Sequence, residues 1–136
     1  MSSDLPFSVL IVDDSALVCG AFKAMLKAEF PLATIVAVNS SAEAMAEARL
    51  RSYDIALVDI ELGDSSGLDL ISELRTLTRP PLMIAVSMNQ ESIFVTRSMQ
   101  SGASSYVAKG TPWGELFEAI RKTLEGQSYI SLGLAK

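Results

Sequence analysis

Tyr53-Asp54-Ile55-Ala56-Leu57-Val58-Asp59-Ile60-Glu61 decides the fold of this chain. Ile55 to Val58 form an unbroken apolar run, long enough for one short strand covered on both faces, and the run stops at a carboxylate. In an open parallel sheet, ligands gather beyond the carboxyl ends of the strands, which puts Asp59 where such a fold does its chemistry. Taken alone, an aspartate after a strand is equally well explained as the first solvated residue of a loop. The ends of the neighbouring apolar runs give Asp59 its meaning.

Upstream, Phe7 to Val12 reads as the first strand and stops at Asp13-Asp14. Ser15 caps a helix running to about Phe30, with Val18, Phe22, Met25 and Leu26 as its buried stripe and Pro31 as its end. Ala33 to Val38 is a second strand, and Ser40-Ser41-Ala42-Glu43 is a capping box that opens an alanine-rich helix with Met45 turned inward. Downstream, the loop Leu62 to Ser66 contains Gly63 and Asp64, and Gly67 starts a helix with Leu68, Ile71 and Leu74 on one face. Pro80-Pro81 precedes a fourth strand, Leu82 to Val86, which stops at Ser87. Asn89-Gln90-Glu91 leads into a helix that Gly102 terminates. Ser104 to Ala108 is a fifth strand, stopping at Lys109. Thr111-Pro112 predicts a cap followed by proline at the first helical position, and Trp113, Leu116, Phe117, Ile120 and Leu124 are the inward stripe of a last helix that Gly126 ends. Strands alternating with helices of this length pair in parallel through right-handed crossovers. The expected architecture is α/β: an open sheet with helices on both faces and every strand's carboxyl end on one edge.

Composition narrows the chemistry. At 136 residues, 49% hydrophobic and 20% charged, the chain has the size and balance of one globular domain. A net charge of -5 argues against nucleic-acid binding by this domain itself. The single cysteine, Cys19, allows no internal disulfide, favours a reducing, cytoplasmic setting and lies in an apolar helical pattern as a small buried hydrophobe. The absence of histidine removes imidazole acid–base catalysis, histidine metal sites and a phosphohistidine carrier role. Met1-Ser2-Ser3-Asp4 has no signal-peptide pattern, and no apolar segment approaches the length of a membrane span.

The strand ends share one theme. Asp13 and Asp14, Asp59, Ser87 and Lys109 end the first, third, fourth and fifth strands. If those strands are neighbours, the groups converge within a few spacings of roughly 4.8 Å. Carboxylates crowded into one crevice repel each other and call for a cation, and oxygen-only donors favour a hard one, Mg2+ above all. One carboxylate is then left as a nucleophile toward phosphorus, an established route to an aspartyl-phosphate. Mg2+, the Lys109 ammonium and the Ser87 hydroxyl suit the negative oxygens of a transferred phosphoryl group. Each residue alone has an ordinary explanation: Asp13 and Asp14 as helix caps, Ser87 as a loop hydroxyl, Lys109 as a solvated lysine.

Val9-Leu10-Ile11-Val12-Asp13-Asp14-Ser15, Ile55 to Ile60, Ser66-Gly67-Leu68-Asp69-Leu70-Ile71, Ala85-Val86-Ser87, and Gly102-Ala103 through Tyr106-Val107-Ala108-Lys109 together resemble the receiver domain of bacterial two-component response regulators. The resemblance implies a flavodoxin-like (βα)5 fold with a parallel five-stranded sheet of order 2-1-3-4-5. It implies that Asp59 accepts a phosphoryl group from the phosphohistidine of a sensor histidine kinase. It assigns Mg2+ to Asp14, Asp59 and the backbone carbonyl of Glu61, with Asp13 acting through water, and the phosphoryl oxygens to Ser87 and Lys109. Tyr106 matches the aromatic switch position: phosphorylation pulls Ser87 inward and Tyr106 turns into the space left. A half-buried edge-strand tyrosine is the alternative reading of Tyr106.

Lys109-Gly110-Thr111-Pro112, Glu115-Leu116, Ala119-Ile120-Arg121 and Gly126-Gln127-Ser128-Tyr129-Ile130-Ser131 are similar to the NarL/LuxR-type subgroup. That similarity implies a receiver over 1–130, with 131–136 a tail or the start of a linker to a helix-turn-helix domain that this chain lacks. DNA would be reached only through that domain, and a homodimer on phosphorylation through the first and last helices is the subgroup's habit. The family's usual relay face is the fourth helix, fifth strand and last helix, where Ile93, Phe94, Trp113 and Phe117 are candidates for exposure, although core burial also suits the last two.

Departures from the pattern carry expectations too. Leu62-Gly63 replaces the usual Met-Pro and implies a more mobile loop, and Gly110 stands where proline with a cis bond is common. Met88 replaces a small residue after Ser87 and is expected to cover the site and slow both phosphorylation by small donors and hydrolysis; Glu61 and Asn89 are read with it as tuning access. Two other functions remain open at this point. One is a haloacid-dehalogenase-like phosphatase, whose second aspartate would fall at Glu61. The other is a receiver-like interaction module that is never phosphorylated.

Overall fold

The computed structural model describes residues 5–63, 65–89 and 91–131. Strand and helix alternate: β1 (Ser8–Val12), α1 (Ala16–Glu29), β2 (Thr34–Val38), α2 (Ser41–Leu50), β3 (Ile55–Asp59), α3 (Gly67–Leu74), β4 (Leu82–Ser87), α4 (Ser92–Ser101), β5 (Ser105–Ala108), α5 (Trp113–Leu124) and β6 (Ile130–Ser131). The helix starts follow local chemistry. Ser15 Oγ accepts the Val18 N–H, Ser40 Oγ the Glu43 N–H and Ser66 Oγ the Leu68 N–H. Glu43 reaches back past the cap to the Asn39 N–H, extending the expected box by one residue.

All pairings between these strands are parallel, in the order β2-β1-β3-β4-β5-β6. β3 is buried along its whole length. Its alternate side chains serve two cores: Ala56 and Val58 pack with α2, α3 and α4 on one face, Ile55 and Leu57 with α1 and α5 on the other. Each fully buried Leu, Ile or Val contributes about 1.5–3 kcal/mol, so the central strand anchors the layers and fixes where Asp59 emerges. On the second face Phe22 meets Trp113 and Phe30 meets Phe117 edge-on, at 5.2 and 5.9 Å between ring centroids. Those contacts settle Trp113 and Phe117 as core-packing residues; Ile93 is 48% exposed and Phe94 half-buried.

The structure corrects several expectations. The sheet has a sixth strand: the chain turns at Gly126 and lays Ile130 beside Tyr106 and Ser131 beside Val107. It pairs an edge that β5 would otherwise leave open. Tyr106 is therefore not on an edge strand, and it is fully buried. Pro112, not Thr111, is the N-cap of α5, because the Thr111 hydroxyl is spent on the Ala108 carbonyl. In α1 the buried residues are Cys19 and Leu26, while Val18, Phe22 and Met25 are half-buried. Leu70 joins Ile71 and Leu74 in the core of α3, with Leu68 at its margin. No peptide bond among the described residues is cis, Lys109–Gly110 included. The expected mobility of the loop at 62–66 falls on Asp64, which with Gln90 lies outside the described residues; Leu62 itself is buried.

The tail is held by a buried hydroxyl pair. Ser105 Oγ lies 2.7 Å from Thr123 Oγ1 and accepts the Tyr129 N–H at 3.0 Å, while Tyr106 N–H donates to the Tyr129 carbonyl at 2.9 Å. Ser105→Ala strands the buried Thr123 hydroxyl and the half-buried Tyr129 N–H, and is expected to cost about 1–3 kcal/mol in denaturant unfolding. Hydrogen exchange at Ile130 and Ser131 should quicken in the same variant; unchanged exchange would show that the tail is held by other means.

Candidate functional site

β1, β3 and β5 deliver their carboxyl ends to one cleft because β1 and β3 are neighbours and β4 alone separates β3 from β5. Asp13, Asp14 and Asp59 each place a carboxylate oxygen within 4.8 Å of the others. Asp13 and Asp59 are buried, at 3% and 4% exposure, and Asp14 faces solvent. Lys109 Nζ bridges the buried pair, donating to Asp13 Oδ2 at 2.7 Å and to Asp59 Oδ2 at 3.1 Å. The second oxygen of each accepts a main-chain amide, Ser15 N–H on Asp13 and Glu61 N–H on Asp59, both at 2.9 Å.

Burial pushes the Asp59 carboxyl above its ordinary value, and the Asp13 charge adds to this against the Glu61 amide and Lys109. Burial alone would lower the Lys109 ammonium, but its bonds to Asp13 and Asp59 outweigh that and hold it above its ordinary value. One ammonium thus faces three carboxylates and leaves negative charge uncompensated. The donors are all oxygen, two are buried and one is open to solvent, which fits a hard divalent cation such as Mg2+.

Ser87 ends β4 and is fully buried. Asp59 pairs with Val86, so Ser87 stands one residue further along the adjacent strand. Its Oγ accepts the Asn89 N–H at 2.9 Å. The Tyr106 hydroxyl donates to the Asn89 carbonyl at 2.7 Å, and burial pushes that phenol up. The Asn89 side-chain amide donates to Glu61 Oε2 at 2.6 Å. Asn89 therefore joins Ser87, Tyr106 and Glu61, three residues that the sequence presents separately. Tyr106 is thus buried, with its hydroxyl on the main chain of Asn89. Met88 is 65% exposed and lines an apolar cavity of about 340 Å³ with Val18, Phe22 and Trp113, beside Lys109.

Two contributors escaped the sequence reading. Gly67 packs so closely on the end of β3 that an added Cβ would lie 2.1 Å from the Asp59 carbonyl oxygen. Asn39 follows β2 and donates to the Asp13 carbonyl at 3.0 Å. A search for polar residues at every strand end would have included Asn39; Gly67 is read from the sequence only as a helix start and part of a family stretch, and nothing local shows its close approach to Asp59.

Known proteins share this sequence pattern and this fold. The family described as response regulator receiver domain matches residues 9–121. Response regulator GacA of Pseudomonas viridiflava is 33% identical over 128 residues, covering 94% of this chain and 60% of that protein. Response regulator UvrY of Escherichia coli (strain K12) is 26% identical over 129 residues, covering 95% and 59%. The chain thus spans about 60% of the length of the curated relatives it matches. A solved two-component response regulator of the LuxR family from Aurantimonas sp. SI85-9A1 superposes with a TM-score of 0.87 at 26% identity, covering 93% of this chain and 91% of that one. The family match begins inside β1 and ends inside α5, so it takes in every strand that builds the cleft: this chain belongs to the response regulator receiver domain family of two-component signalling.

Proposed function

We propose that Asp59 is the phosphoryl acceptor of this receiver and that a sensor histidine kinase is the donor. The observation that carries this reading is the Lys109 ammonium set between two buried carboxylates, Asp13 and Asp59, with Asp14 alongside. An Asp59 carboxylate oxygen attacks phosphorus, the bond from phosphorus to the donor histidine nitrogen breaks, and the nitrogen keeps the electron pair. Lys109 and the Ser87 hydroxyl take up negative charge on the transferred group. Asp14, Asp59 and the Glu61 main-chain carbonyl would hold Mg2+, with Asp13 acting through water; when bound, the ion supplies positive charge opposite the phosphoryl oxygens.

Ser87 and Tyr106 are the switch in this reading. A Ser87 hydroxyl that turns to a phosphoryl oxygen gives up the Asn89 N–H, and Asn89 carries the change to Tyr106 and Glu61. Met88, Glu61 and Asn89 tune access to the cleft. The phosphatase alternative finds no support, since the Glu61 carboxylate that would serve as acid and base is engaged by Asn89. From the NarL/LuxR-type resemblance of its tail we further propose a transcriptional output through a separate DNA-binding domain, dimerisation on phosphorylation and a cytoplasmic setting; the likeness to a LuxR-family response regulator supports this reading. No helix among the described residues is long and apolar enough to cross a membrane.

Phosphoramidate, a small donor with a nitrogen–phosphorus bond, tests the chemistry directly. Intact-mass spectrometry should show one phosphoryl group per chain in Mg2+, and essentially none in EDTA or in Asp59→Asn. Equal labelling of Asp59→Asn would overturn the assignment.

A further inference from the structure

The cleft described so far draws on β1, β3, β4 and β5. The end of β2 reaches it as well, through the main chain. Asn39 Nδ2 donates to the Asp13 carbonyl at 3.0 Å and lies 3.6 Å from Cys19 Sγ. The Cys19 thiol donates to the same carbonyl at 3.4 Å and approaches the Val38 carbonyl at 3.8 Å. Amide, thiol and carbonyl close a triangle. Asn39 is itself held by its own N–H on Glu43 Oε1 at 2.8 Å, and the Asp13 N–H returns to the Val38 carbonyl at 3.2 Å.

The carbonyl of Asp13 and the N–H of Asp14 belong to one rigid peptide plane. Donors that fix that carbonyl therefore also fix the main chain of Asp14. Asp14 needs such support, because its side chain is exposed and its near neighbour across the cleft is Gly63, where an added Cβ would come within 2.9 Å of Asp14 Oδ2. We propose that Asn39, assisted by the Cys19 thiol, is a positioning residue that aims Asp14 into the cleft and so sets the affinity for a divalent cation. This rests on the reading of Asp14 as a cation ligand. It also gives the lone cysteine a task beyond filling space: its buried thiol is a second donor to the carbonyl that Asn39 holds.

Partners that orient metal ligands typically change affinity 10–100-fold, and Asn39 acts through one further bond, so the lower end of that range, about tenfold, is expected. Calorimetric titration of Mg2+ into the intact chain is the test, comparing wild type, Asn39→Ala, Cys19→Ala and Ser8→Ala. Ser8 bonds Asp54 at the opposite edge of the sheet, so its variant loses a comparable surface hydrogen bond without touching the cleft. Asn39→Ala should bind Mg2+ about tenfold more weakly and Cys19→Ala about threefold, the thiol being the weaker donor, while Ser8→Ala binds as wild type. Unchanged affinity in Asn39→Ala, or an equal loss in Ser8→Ala, overturns the proposal. Should Asn39→Ala fail to fold, Cys19→Ala decides, and wild-type affinity there overturns it. A wild type that takes up no Mg2+ removes the reading of Asp14 as a ligand together with its support; a sound wild-type titration beside an unaltered Asn39→Ala removes the support alone.

Discussion

Lys109→Met is expected to lower the unfolding free energy of the ion-free protein by about 3 kcal/mol at pH 7 and to slow phosphoryl uptake at least about 100-fold. The first effect follows from burial. The Lys109 side chain is 16% exposed and the carboxylates it bridges 5% each, so removing the ammonium leaves two charges with little water to screen them. Losing one partner of a buried ion pair costs about 3–5 kcal/mol, and the lower figure suits a cleft that opens on one side. Methionine keeps the length of the side chain and removes the charge.

The sign of the pH dependence follows from Asp59. Its carboxyl already sits above the ordinary value, and losing Lys109 removes two of the influences that hold it down. A carboxyl raised in the folded state favours folding where it is protonated, and that advantage fades as pH rises through the folded value. The deficit of Lys109→Met should therefore be largest at neutral pH and shrink toward acid. Added Mg2+ should raise the unfolding midpoint of the variant more than that of wild type, since the ion supplies the missing charge. Denaturant unfolding at two pH values, with and without Mg2+, gives the answer. Wild-type stability in EDTA at pH 7 would show that the bridge does not hold the buried pair.

Gly67→Ala is expected to be about as damaging, for a reason unrelated to charge. The new Cβ would lie 2.1 Å from the Asp59 carbonyl oxygen and 2.5 Å from Ile60 Cα, both main-chain atoms that cannot swing aside. The φ angle at Gly67 is not in the left-handed region, so close approach alone demands glycine. Relief requires α3 to lift from the end of β3, lengthening the Gly67 N–H bond to the Ile60 carbonyl, now 3.0 Å, or Asp59 to shift within the cleft. Overpacking usually costs about 1–3 kcal/mol, and a clash with rigid main chain belongs at or beyond the upper figure. A melting point lower by about 10 °C is the expected reading for a chain of this size. Gly114→Ala is the control: nothing lies within 4 Å of its added Cβ on α5, and helix propensity predicts a gain of up to about 1 kcal/mol. Equal melting points for the two variants would show that α3 can lift from β3 at no cost.

These variants mark where local pattern stops and packing begins. Val9 to Val12, Ile55 to Val58 and Leu82 to Val86 announce buried strands by apolar continuity alone, and Ser15, Ser40 and Ser66 sit at helix starts because their hydroxyls satisfy nearby amides. Parallel strands joined by helices must end on one edge, so Asp13, Asp14, Asp59, Ser87 and Lys109 could be grouped before any distance was known. What the grouping could not say is which oxygen meets which donor. Lys109 and Asp13 are separated by 96 residues, and no spacing along the chain encodes a 2.7 Å bond between them. Asn89 is read from the sequence only as tuning access, and the fold alone shows that Glu61, Ser87 and Tyr106 meet on it. Ile130 and Ser131 are too short a stretch to show a period, and they become a strand because β5 offers an unpaired edge.

Short-range chemistry along the chain was therefore enough for the five strand-and-helix units and for the polar groups that end their strands. The tertiary structure alone decided the bridge at Lys109, the seat of Gly67 and the hold of Asn39 and Cys19 on Asp13. Each of these depends on atoms remote in sequence meeting within a few tenths of an ångström, and only the packing of the layers determines that.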